Sequence, residues 1–502
     1  MFGLFKRKPA PTRAEAVENL LSMPLLHWSN GEACTLRDAI AGTAIFGPTG
    51  SGKTSGSGYA ITMPYLRAGF GGLVLTAKAD ERVLWERYCR EAGRLDDLII
   101  IGADAAQRFN FLDYELNRKG EGAGLTENIV SLFTNVMEIR ERNSSGGGGG
   151  DESPFWKENA NRTLRSAVDL VAFATGKVSV PELVSVCLSA PTSPAQLRDT
   201  AFQESSKCFQ YLKMADRKPK TARQQHDFGV VCDLFGLEWP NLAERTRSTI
   251  QATFMGWADL LNRGLLRELF CTDTTITPDA VRDGKIILLD LPVKEYGEVG
   301  QLAQVIFKYS FQRSIERRNV SENPRPVFLW MDEAQHFLTS YDFQFQATCR
   351  SAWVATVMLS QSISSFYAAL GGNERARVET DSLLTNLTTK VFHALGGDAV
   401  TAEWAAGLIG RTRQFFANGN TTHSGDDRWS AVLGLDWLGH NGSTSAGFSE
   451  SFEFEVQPRE FTRLRTGGPA NDWCVDAIVF QNGRVFKQSG RSWLPVTFRQ
   501  KR

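Results

Sequence analysis

The amino-acid sequence predicts an α/β fold with a mostly parallel central sheet that is interrupted by an inserted all-α region. Short apolar runs alternate with helical patterns, which is typical of the βα units of a parallel sheet. The third of these runs ends at residue 101 and the next begins at residue 285, and the residues between them carry mostly helical patterns. Because a crossover connection needs far fewer residues, this stretch predicts an insertion.

The predicted elements follow in order along the chain. Apolar, partly β-branched runs predict strands at 43–46, 72–76, 98–101, 285–291, 327–331, 355–359 and 390–395. Helices are predicted at 59–66, 80–92 and 301–317, and Ser153 followed by Pro154 begins another. Asn, Ser and Gly at 143–150 predict a flexible linker at the start of the insertion. The tail is predicted to form a mobile loop around 418–427 and short strands near 452–456, 474–480 and 485–488.

Composition and charge limit the classes of function. Lys and Arg total 56 and Asp and Glu total 56, so the chain has no bulk positive charge and any contact with DNA must be local. The eight cysteines include no CxxC pair, which argues against a zinc site and against a disulfide framework. No apolar run approaches the roughly 18 residues that span a bilayer, and the first residues lack the apolar core of a signal peptide. These observations predict a soluble protein.

A glycine-rich stretch predicts a nucleotide-binding loop. It matches the pattern GxxxxGK followed by Ser or Thr, and it lies between a predicted strand and a predicted helix. In such a loop, backbone N–H groups surround phosphates at a helix N-terminus. Lys53 is expected to reach the β- and γ-phosphates of ATP, and the hydroxyl of Thr54 is expected to bind Mg²⁺. The predicted nucleotide-binding residues are Gly47, Pro48, Thr49, Gly50, Ser51, Gly52, Lys53, Thr54 and Ser55.

Two acidic residues follow the predicted strand at 327–331. An acid at the end of such a strand holds the metal ion in P-loop proteins, and Asp332 is predicted to do so. Glu333 lies one residue further toward the open edge of the sheet, where it is suited to orient and deprotonate the attacking water. An apolar run that ends in two acids is also typical of any strand that enters a loop. The position of these acids downstream of a P-loop favours the functional interpretation.

Two polar residues flank the next predicted strand. Gln361 follows that strand and is predicted to sense the γ-phosphate, with a plain turn residue as an equal alternative. Arg350 precedes the strand and could reach the phosphates of a neighbouring subunit as an arginine finger. A surface arginine or an intrachain ion pair is the other interpretation of Arg350.

Taken together, these motifs resemble the type IV secretion coupling proteins of the TraG/TraD conjugation group, which belong with the FtsK- and HerA-like hexameric DNA pumps. The resemblance covers most of the chain, and the order and spacing of the motifs are more specific than any one of them. It rests on FGPTGSGKT at 46–54, LVLTAKAD at 73–80, RFNFLD at 108–113, SPFWKENANRTL at 153–164, ERTRSTIQAT at 244–253, FLWMDEAQHF at 328–337, VMLSQSISSF at 357–366 and TNLTTKVFHAL at 385–395.

The resemblance implies a fold, a set of roles and a set of partners. The implied fold is a RecA-like P-loop ATPase domain at 41–114 and 272–502, with an inserted all-α domain at 115–271 and an N-terminal segment at 1–40. The implied activity is ATP hydrolysis with Mg²⁺ at the subunit interfaces of a homo-hexamer that moves DNA, with relaxase or type IV secretion components as further partners. The resemblance assigns the family's roles to these residues: Lys53 and Thr54 in the P-loop, Asp332 and Glu333 after the strand at 327–331, Gln361 as the sensing glutamine and Arg350 as the arginine finger.

One departure from the family bears on location. Coupling proteins of this group commonly begin with transmembrane helices, and no such helix precedes the P-loop here. The expectation is a soluble variant in the cytoplasm, or one held at the inner membrane by its partners. Two other functions stay open: an ATPase adaptor that recruits a protein cargo such as a relaxase or an effector, and a DNA pump in mobile-element maintenance or defence.

Overall fold

The structure is a computed structural model that describes residues 13–144, 154–422 and 443–500. Most of the predicted linker at 143–150, the predicted N-cap Ser153 and half of the predicted loop at 418–427 lie outside the described residues. Within them, residues 143 and 144 end a helix, and residues 418–422 belong to a strand.

Thirteen strands lie in the described residues, and nine of them form one central sheet. In chain order they are β1 (Pro24–Ser29), β2 (Glu32–Thr35), β3 (Thr43–Phe46), β4 (Gly71–Leu75), β5 (Leu98–Gly102), β6 (Ile286–Asp290), β7 (Val327–Met331), β8 (Val354–Ser360), β9 (Thr389–Phe392), β10 (Arg411–Thr422), β11 (Ser443–Phe454), β12 (Cys474–Gln481) and β13 (Trp493–Arg499). The order in the central sheet is β13-β12-β9-β3-β8-β7-β4-β6-β5.

Seven neighbouring strands of this sheet, from β9 to β5, are parallel. The remaining two are antiparallel, since β12 pairs with β9 and β13 pairs with β12. Every residue of β3, β4, β7 and β8 is buried, as expected for strands that are covered on both faces. Phe46 and Leu75 belong to one apolar core, and their neighbours Ile45 and Val74 belong to the other. The predicted α/β fold with a mostly parallel central sheet is therefore confirmed.

Helices cover both faces of the sheet. The helices of the described residues are α1 (Arg13–Leu21), α2 (Leu36–Ala39), α3 (Tyr59–Arg67), α4 (Asp80–Glu91), α5 (Phe111–Asn117), α6 (Thr126–Ser144), α7 (Pro154–Thr175), α8 (Val180–Ser189), α9 (Thr200–Ser205), α10 (Lys207–Asp216), α11 (Ala222–Asp233), α12 (Trp239–Asn241), α13 (Glu244–Ala258), α14 (Gly264–Phe270), α15 (Val293–Glu316), α16 (Ser340–Thr348), α17 (Ile363–Ala369), α18 (Glu374–Asn386), α19 (Ala399–Ile409) and α20 (Pro458–Phe461). Trp85 of α4 packs on one face, and Ile306 of α15 packs on the other.

The helices α6 to α14 lie between β5 and β6 along the chain, where the sequence predicts the insertion. Their buried side chains, such as Leu164 and Phe254, join the apolar core on one face of the sheet. The domain boundaries at 41–114 with 272–502 and at 115–271 remain a proposal. No single helix of the described ranges is long and apolar enough to cross a membrane. One pair of consecutive helical stretches is long and apolar enough when the two are taken together, but the pair is bent by 109°.

In the C-terminal region one predicted strand is wrong, and another is confirmed in part. Residues 485–488, predicted as a strand, form turns and irregular backbone, and the partner of β12 is instead β13. Pro495 lies inside β13, where it is tolerated because β13 is the edge of the sheet and its proline need not donate a hydrogen bond there. The predicted short strand near 452–456 is the end of β11, which forms a separate hairpin with β10.

The predicted N-terminal segment contains the β1–β2 hairpin, whose buried Glu32 pairs with Arg484 at 3.0 Å.

Candidate nucleotide-binding site

The predicted site residues lie at one edge of the central sheet. The P-loop follows β3, Gln361 follows β8, and Asp332 with Glu333 follows β7. Because β3, β8 and β7 are adjacent and parallel, their carboxyl ends meet at the same edge. Lys78, after β4, and His393, after β9, extend this edge on its two sides.

The P-loop requires glycine at particular positions. Gly50 and Gly52 have φ angles of +83° and +84°, a region that favours glycine. A Cβ atom on Gly52 would also lie 2.6 Å from the side chain of Val475 in β12. The hydroxyl of Ser51 is buried and has no hydrogen-bond partner among the described residues. A phosphate oxygen is the kind of acceptor that this hydroxyl lacks, so the loop fits a bound nucleotide.

The helix after the P-loop begins with a π-helical turn, Thr54–Gly58. The backbone N–H of Gly58 donates to the carbonyl of Lys53 at 2.8 Å, and the hydroxyl of Ser57 donates to the same carbonyl at 3.2 Å. Nε2 of His393 lies 2.7 Å from that hydroxyl. Burial lowers the pKa of His393 to about 4, so its imidazole is neutral at neutral pH. Because Ser57 has a single hydroxyl proton, we assign the tautomer in which His393 donates from Nε2.

Asp332 and Thr54 form a pair of oxygen groups beside the P-loop. The hydroxyl of Thr54 donates to Oδ2 of Asp332 at 3.1 Å, and Oδ1 accepts from the backbone N–H of Glu333 at 2.9 Å. Burial raises the pKa of Asp332, against the opposing positive charges of Lys53 and Lys78. A hydroxyl and a carboxylate side by side are the kinds of ligand that Mg²⁺ takes, so this pair fits the predicted metal position.

Glu333 is buried and surrounded by donors. Its Oε1 lies 3.4 Å from Nζ of Lys53, 3.6 Å from Nζ of Lys78 and 3.2 Å from the donating Nε2 of Gln361. Its Oε2 accepts from Nε2 of Gln335 at 3.0 Å. Burial raises the pKa of Glu333, but the charges of Lys53 and Lys78 and the two glutamine hydrogen bonds outweigh it, and the net direction is down. The carboxylate is therefore ionised and oriented.

The backbone of Glu333 is also unusual. Its φ and ψ of 50° and 54° lie in the left-handed region, which is uncommon for a residue other than glycine. Such a conformation costs on the order of 1–3 kcal/mol and persists only where the surroundings impose it. Four donors surround its carboxylate, and its own backbone N–H donates to Asp332; these contacts are the surroundings that do so.

The structure brings most of the predicted site residues together, but it leaves two of them apart. Ser55 accepts a hydrogen bond of 2.7 Å from Nε2 of Gln500, beyond β13, and so contacts the tail of the chain. Arg350 is exposed and precedes β8, at the amino edge of the sheet. The 7 residues of β8 separate Arg350 from the P-loop edge by about 20 Å. Arg350 therefore cannot reach the P-loop of its own chain.

Sequence reasoning missed four residues of this site. Lys78 lies two residues after a predicted strand, and Gln335 lies two residues after Glu333. Ser57 falls just after the P-loop, and His393 falls inside a predicted strand. Lys78 could have been predicted, because it follows a strand whose carboxyl end lies at the P-loop edge and because positive charge is expected close to phosphates. The other three depend on contacts that the sequence pattern does not contain.

Comparison with known proteins supports a single family. The sequence profile of the family described as Type IV secretory system Conjugative DNA transfer matches residues 5–426. No curated protein sequence matches the chain. Among solved structures, the fold is similar to that of the bacterial conjugative coupling protein TrwBdeltaN70 in an unbound form, with a TM-score of 0.57 and 15% identity, covering 99% of this chain and 90% of that one.

Two nucleotide complexes of the plasmid coupling protein TrwB are similar as well. The complex with ADP and Mg²⁺ has a TM-score of 0.55 and 15% identity, covering 97% of this chain and 92% of that one. The complex with the non-hydrolysable ATP analogue ADPNP has a TM-score of 0.55 and 15% identity, covering 100% of this chain and 96% of that one. At this identity the likeness shows the fold, and the match of the sequence profile over most of the chain carries the assignment. The chain belongs to the type IV secretory system conjugative DNA transfer family, the coupling proteins of type IV secretion.

Proposed function

We propose that this chain is a Mg²⁺-dependent ATPase that works as a homo-hexameric ring and moves DNA for conjugation or type IV secretion. The observation that carries the ATPase part is the buried Glu333 carboxylate, held between Lys53, Lys78, Gln335 and Gln361 beside the P-loop. The family and the nucleotide complexes of TrwB support the choice of substrate. The Ser51 hydroxyl of the P-loop, which has no hydrogen-bond partner in the described part of the chain, supports it independently.

In this proposal each residue of the site has a separate role. Lys53 and the backbone N–H groups of the P-loop bind the β- and γ-phosphates, and Thr54 with Asp332 holds Mg²⁺. Bound Mg²⁺ offsets negative charge that develops on the phosphoryl oxygens. Glu333 orients the attacking water and accepts its proton, because it is an ionised carboxylate fixed at the sheet edge.

The ring supplies the arginine finger. Since Arg350 lies about 20 Å from its own P-loop along β8, it can act only on the nucleotide of a neighbouring subunit. An interface of this head-to-tail kind closes into a ring when its rotation closes. Six subunits around one DNA would multiply the modest local basicity of a chain with a formal net charge of +0.

The ATPase part is tested with three purified forms of the chain. Glu333→Gln should keep nucleotide binding and lower turnover about 10²–10⁴-fold, the usual contribution of a general base. Lys53→Ala should lose both binding and turnover. Glu403→Gln, which changes an exposed carboxylate on α19, is the matched control and should keep wild-type turnover. Unchanged turnover in Glu333→Gln would show that the base is another group.

The DNA part is tested separately with the wild-type chain. Turnover is measured without nucleic acid, with single-stranded DNA and with double-stranded DNA, at two salt concentrations because phosphate contacts are salt-dependent. We expect at least one form of DNA to raise turnover, and we expect salt to weaken that effect. An ATPase that ignored both forms of DNA would refute the translocase and would favour the adaptor that handles a protein cargo.

A further inference from the structure

A cavity lies on the central sheet, away from the P-loop edge. It is lined by β9 and β12 of the sheet and by the helices α17, α18 and α19, it opens to solvent, and its volume is about 310 Å³. Aromatic side chains form its walls, namely Tyr367, Trp404 and Phe480. Lys390 lines it from the sheet side. Asp381, Thr385 and Asn482 add polar groups to its lining. A cavity of about this size that combines aromatic walls with placed polar groups is typical of a small-molecule site.

Lys390 is the unusual member of this cavity. It is only 3% exposed, and among the described residues its amine forms no hydrogen bond and no ion pair. Its Nζ lies over the ring of Phe480, 5.9 Å from the ring centroid. Burial lowers the pKa of Lys390 to about 8, so most of the amine is still charged at pH 7.

The other buried lysines of the described residues show what is missing here. Lys53 lies 3.4 Å from a carboxylate oxygen of Glu333, and Lys308 forms an ion pair with Asp342. A buried charge is costly unless it is paired, and each of those two lysines has its carboxylate. Lys390 has none among the residues that the structure describes.

The acidic residue of the cavity does not fill this role. Asp381 lines the same cavity from α18, but it forms no ion pair with Lys390. Its Oδ1 accepts instead from the hydroxyl of Tyr367 at 3.2 Å. Burial and the nearby Asp381 charge raise the pKa of Tyr367 to about 12, so this hydroxyl stays protonated and keeps donating.

We propose that this cavity binds an organic carboxylate with an apolar body, and that Lys390 is its counter-ion. The aromatic walls suit an apolar group, and the ammonium at the sheet supplies the charge that a carboxylate needs. The carboxylate could belong to a free small molecule or to the C-terminal residue of a partner protein. This proposal does not depend on ATP hydrolysis, because none of the residues that line the cavity lies at the P-loop edge.

A physical connection still leads from the cavity to the P-loop. The ring of Trp404, in the cavity wall, packs against Phe46 with centroids 5.4 Å apart. Phe46 is the last residue of β3 and immediately precedes the P-loop. Phe392, on the same strand as Lys390, stacks on Phe46 at 5.8 Å. A bound carboxylate would therefore touch side chains that position the start of the P-loop.

The proposal is tested by the reactivity of Lys390 in the full chain. Purified protein is acetylated with limiting acetic anhydride, and mass spectrometry reads the rate at Lys390. The probes are phenylacetate, its neutral analogue 2-phenylethanol, and the tripeptide Gly-Gly-Phe with a free or an amidated C-terminus. A bound carboxylate stabilises the ammonium and raises its pKa, and each unit of that rise lowers the free-amine fraction about ten-fold. We expect saturable protection by the carboxylates and none by the neutral partners.

Two variants separate charge from shape. Lys390→Met should abolish the binding of phenylacetate measured by calorimetry, and Lys390→Arg should keep it, because Arg preserves the positive charge. Protection by phenylacetate points to a free small molecule, and protection by the free-acid tripeptide alone points to a protein C-terminus. The proposal is overturned if no carboxylate protects Lys390 saturably, or if 2-phenylethanol protects it as well as phenylacetate does.

Discussion

Lys53 and Glu333 form an ion pair, so the residue expected to bind phosphate and the residue expected to act as the base hold each other in this structure. On the proposed function, a nucleotide phosphate would have to compete with Glu333 for the amine of Lys53. Lys78 lies 3.6 Å from the same carboxylate oxygen and keeps Glu333 partly paired when Lys53 turns to a phosphate. On that proposal, Lys53 exchanges Glu333 for a phosphate when the nucleotide binds, so the charge beside Glu333 would change before hydrolysis begins.

Gln361 provides a first test at the scale of single residues. In Gln361→Ala, Glu333 loses a donor at 3.2 Å but keeps both lysines. We expect turnover to fall about 10–100-fold, with little change in the affinity for ATP. A misoriented base raises the free energy of the transition state more than that of the bound ground state. Steady-state kinetics measure both values. Gln344→Ala, an exposed glutamine on α16, is the matched control. A rise in KM without a fall in kcat would contradict the orienting role.

Ser57 provides a second test. In Ser57→Ala, the buried Nε2 of His393 loses its partner, and the carbonyl of Lys53 loses one of its two donors. An unsatisfied buried group costs about 1–3 kcal/mol of unfolding free energy. Ser55→Ala removes a similar hydroxyl at an exposed position and should cost clearly less. Urea unfolding of both variants measures the difference, and equal losses would show that the His393 contact contributes nothing to stability.

Residues of this site were predictable to the extent that they belong to a contiguous pattern. Lys53 and Thr54 sit in the P-loop pattern, and Asp332 and Glu333 end a long apolar run. His393 is 336 residues from Ser57 along the chain, and only the adjacency of β3 and β9 in the sheet brings the two together. No local spacing records that adjacency.

At the scale of elements, a buried ion pair ties α15 to the segment after β7. Lys308 of α15 pairs with Asp342 of α16 and donates to the carbonyl of Phe337 at 2.6 Å. Asp342 also accepts from the backbone N–H of Thr339 at 2.7 Å, which caps α16. The segment fixed in this way begins directly after Asp332 and Glu333. The helix that follows the insertion thus supports the acidic end of the nucleotide site.

Lys308→Met tests this support. It leaves the Asp342 carboxylate buried with hydrogen bonds but without its cation, and breaking a buried pair from one side costs about 3–5 kcal/mol. Thermal or urea unfolding should show this loss. The double variant Lys308→Met with Asp342→Asn should recover most of it, because the amide oxygen still accepts from Thr339 and no charge is left unpaired. A double variant as unstable as the single one would mean that packing, and not charge, is lost.

Elements were predictable where burial made the pattern simple. β3, β4, β7 and β8 are buried at every residue and read as continuous apolar runs, so their predicted positions fall within one or two residues of the structure. β13 alternates buried and exposed residues and contains Pro495, and this weaker signal was missed in favour of 485–488. The edge position that makes the proline acceptable is a property of the sheet, which the sequence does not record.

At the scale of the whole molecule, the position of Arg350 requires a second subunit for the proposed finger. Lys53→Ala and Arg350→Ala should each be inactive alone. Mixed in equal amounts and allowed to exchange, they should regain turnover, since roughly a quarter of the interfaces would join an intact P-loop to an intact arginine. Turnover of the mixture against DNA measures the recovery. Two Lys53→Ala preparations mixed in the same way are the control. A mixture without activity would assign Arg350 to the surface.

The insertion could be predicted because it is long, whereas the order of strands could not. The spacing between the runs at 98–101 and 285–291 shows that something large intervenes. The placement of β12 and β13 beside β9, on the far side from β5, depends on which edges remain free after the parallel strands have assembled. Which edge is free depends on the complete fold, and no local sequence pattern records it.

The contact between Gly52 and Val475, with that between Ser55 and Gln500, has a consequence for the timing of synthesis. Ser55 and Gln500 are 445 residues apart in the chain. At the roughly 5–20 residues per second of translation, a P-loop leaves the ribosome on the order of 20–90 s before the strand that supports it. Throughout that interval the nascent loop lacks its packing partner. We therefore expect the chain to become able to bind ATP only late in its synthesis. On the proposed function, a translating ribosome would then carry a chain that cannot yet bind and hydrolyse ATP.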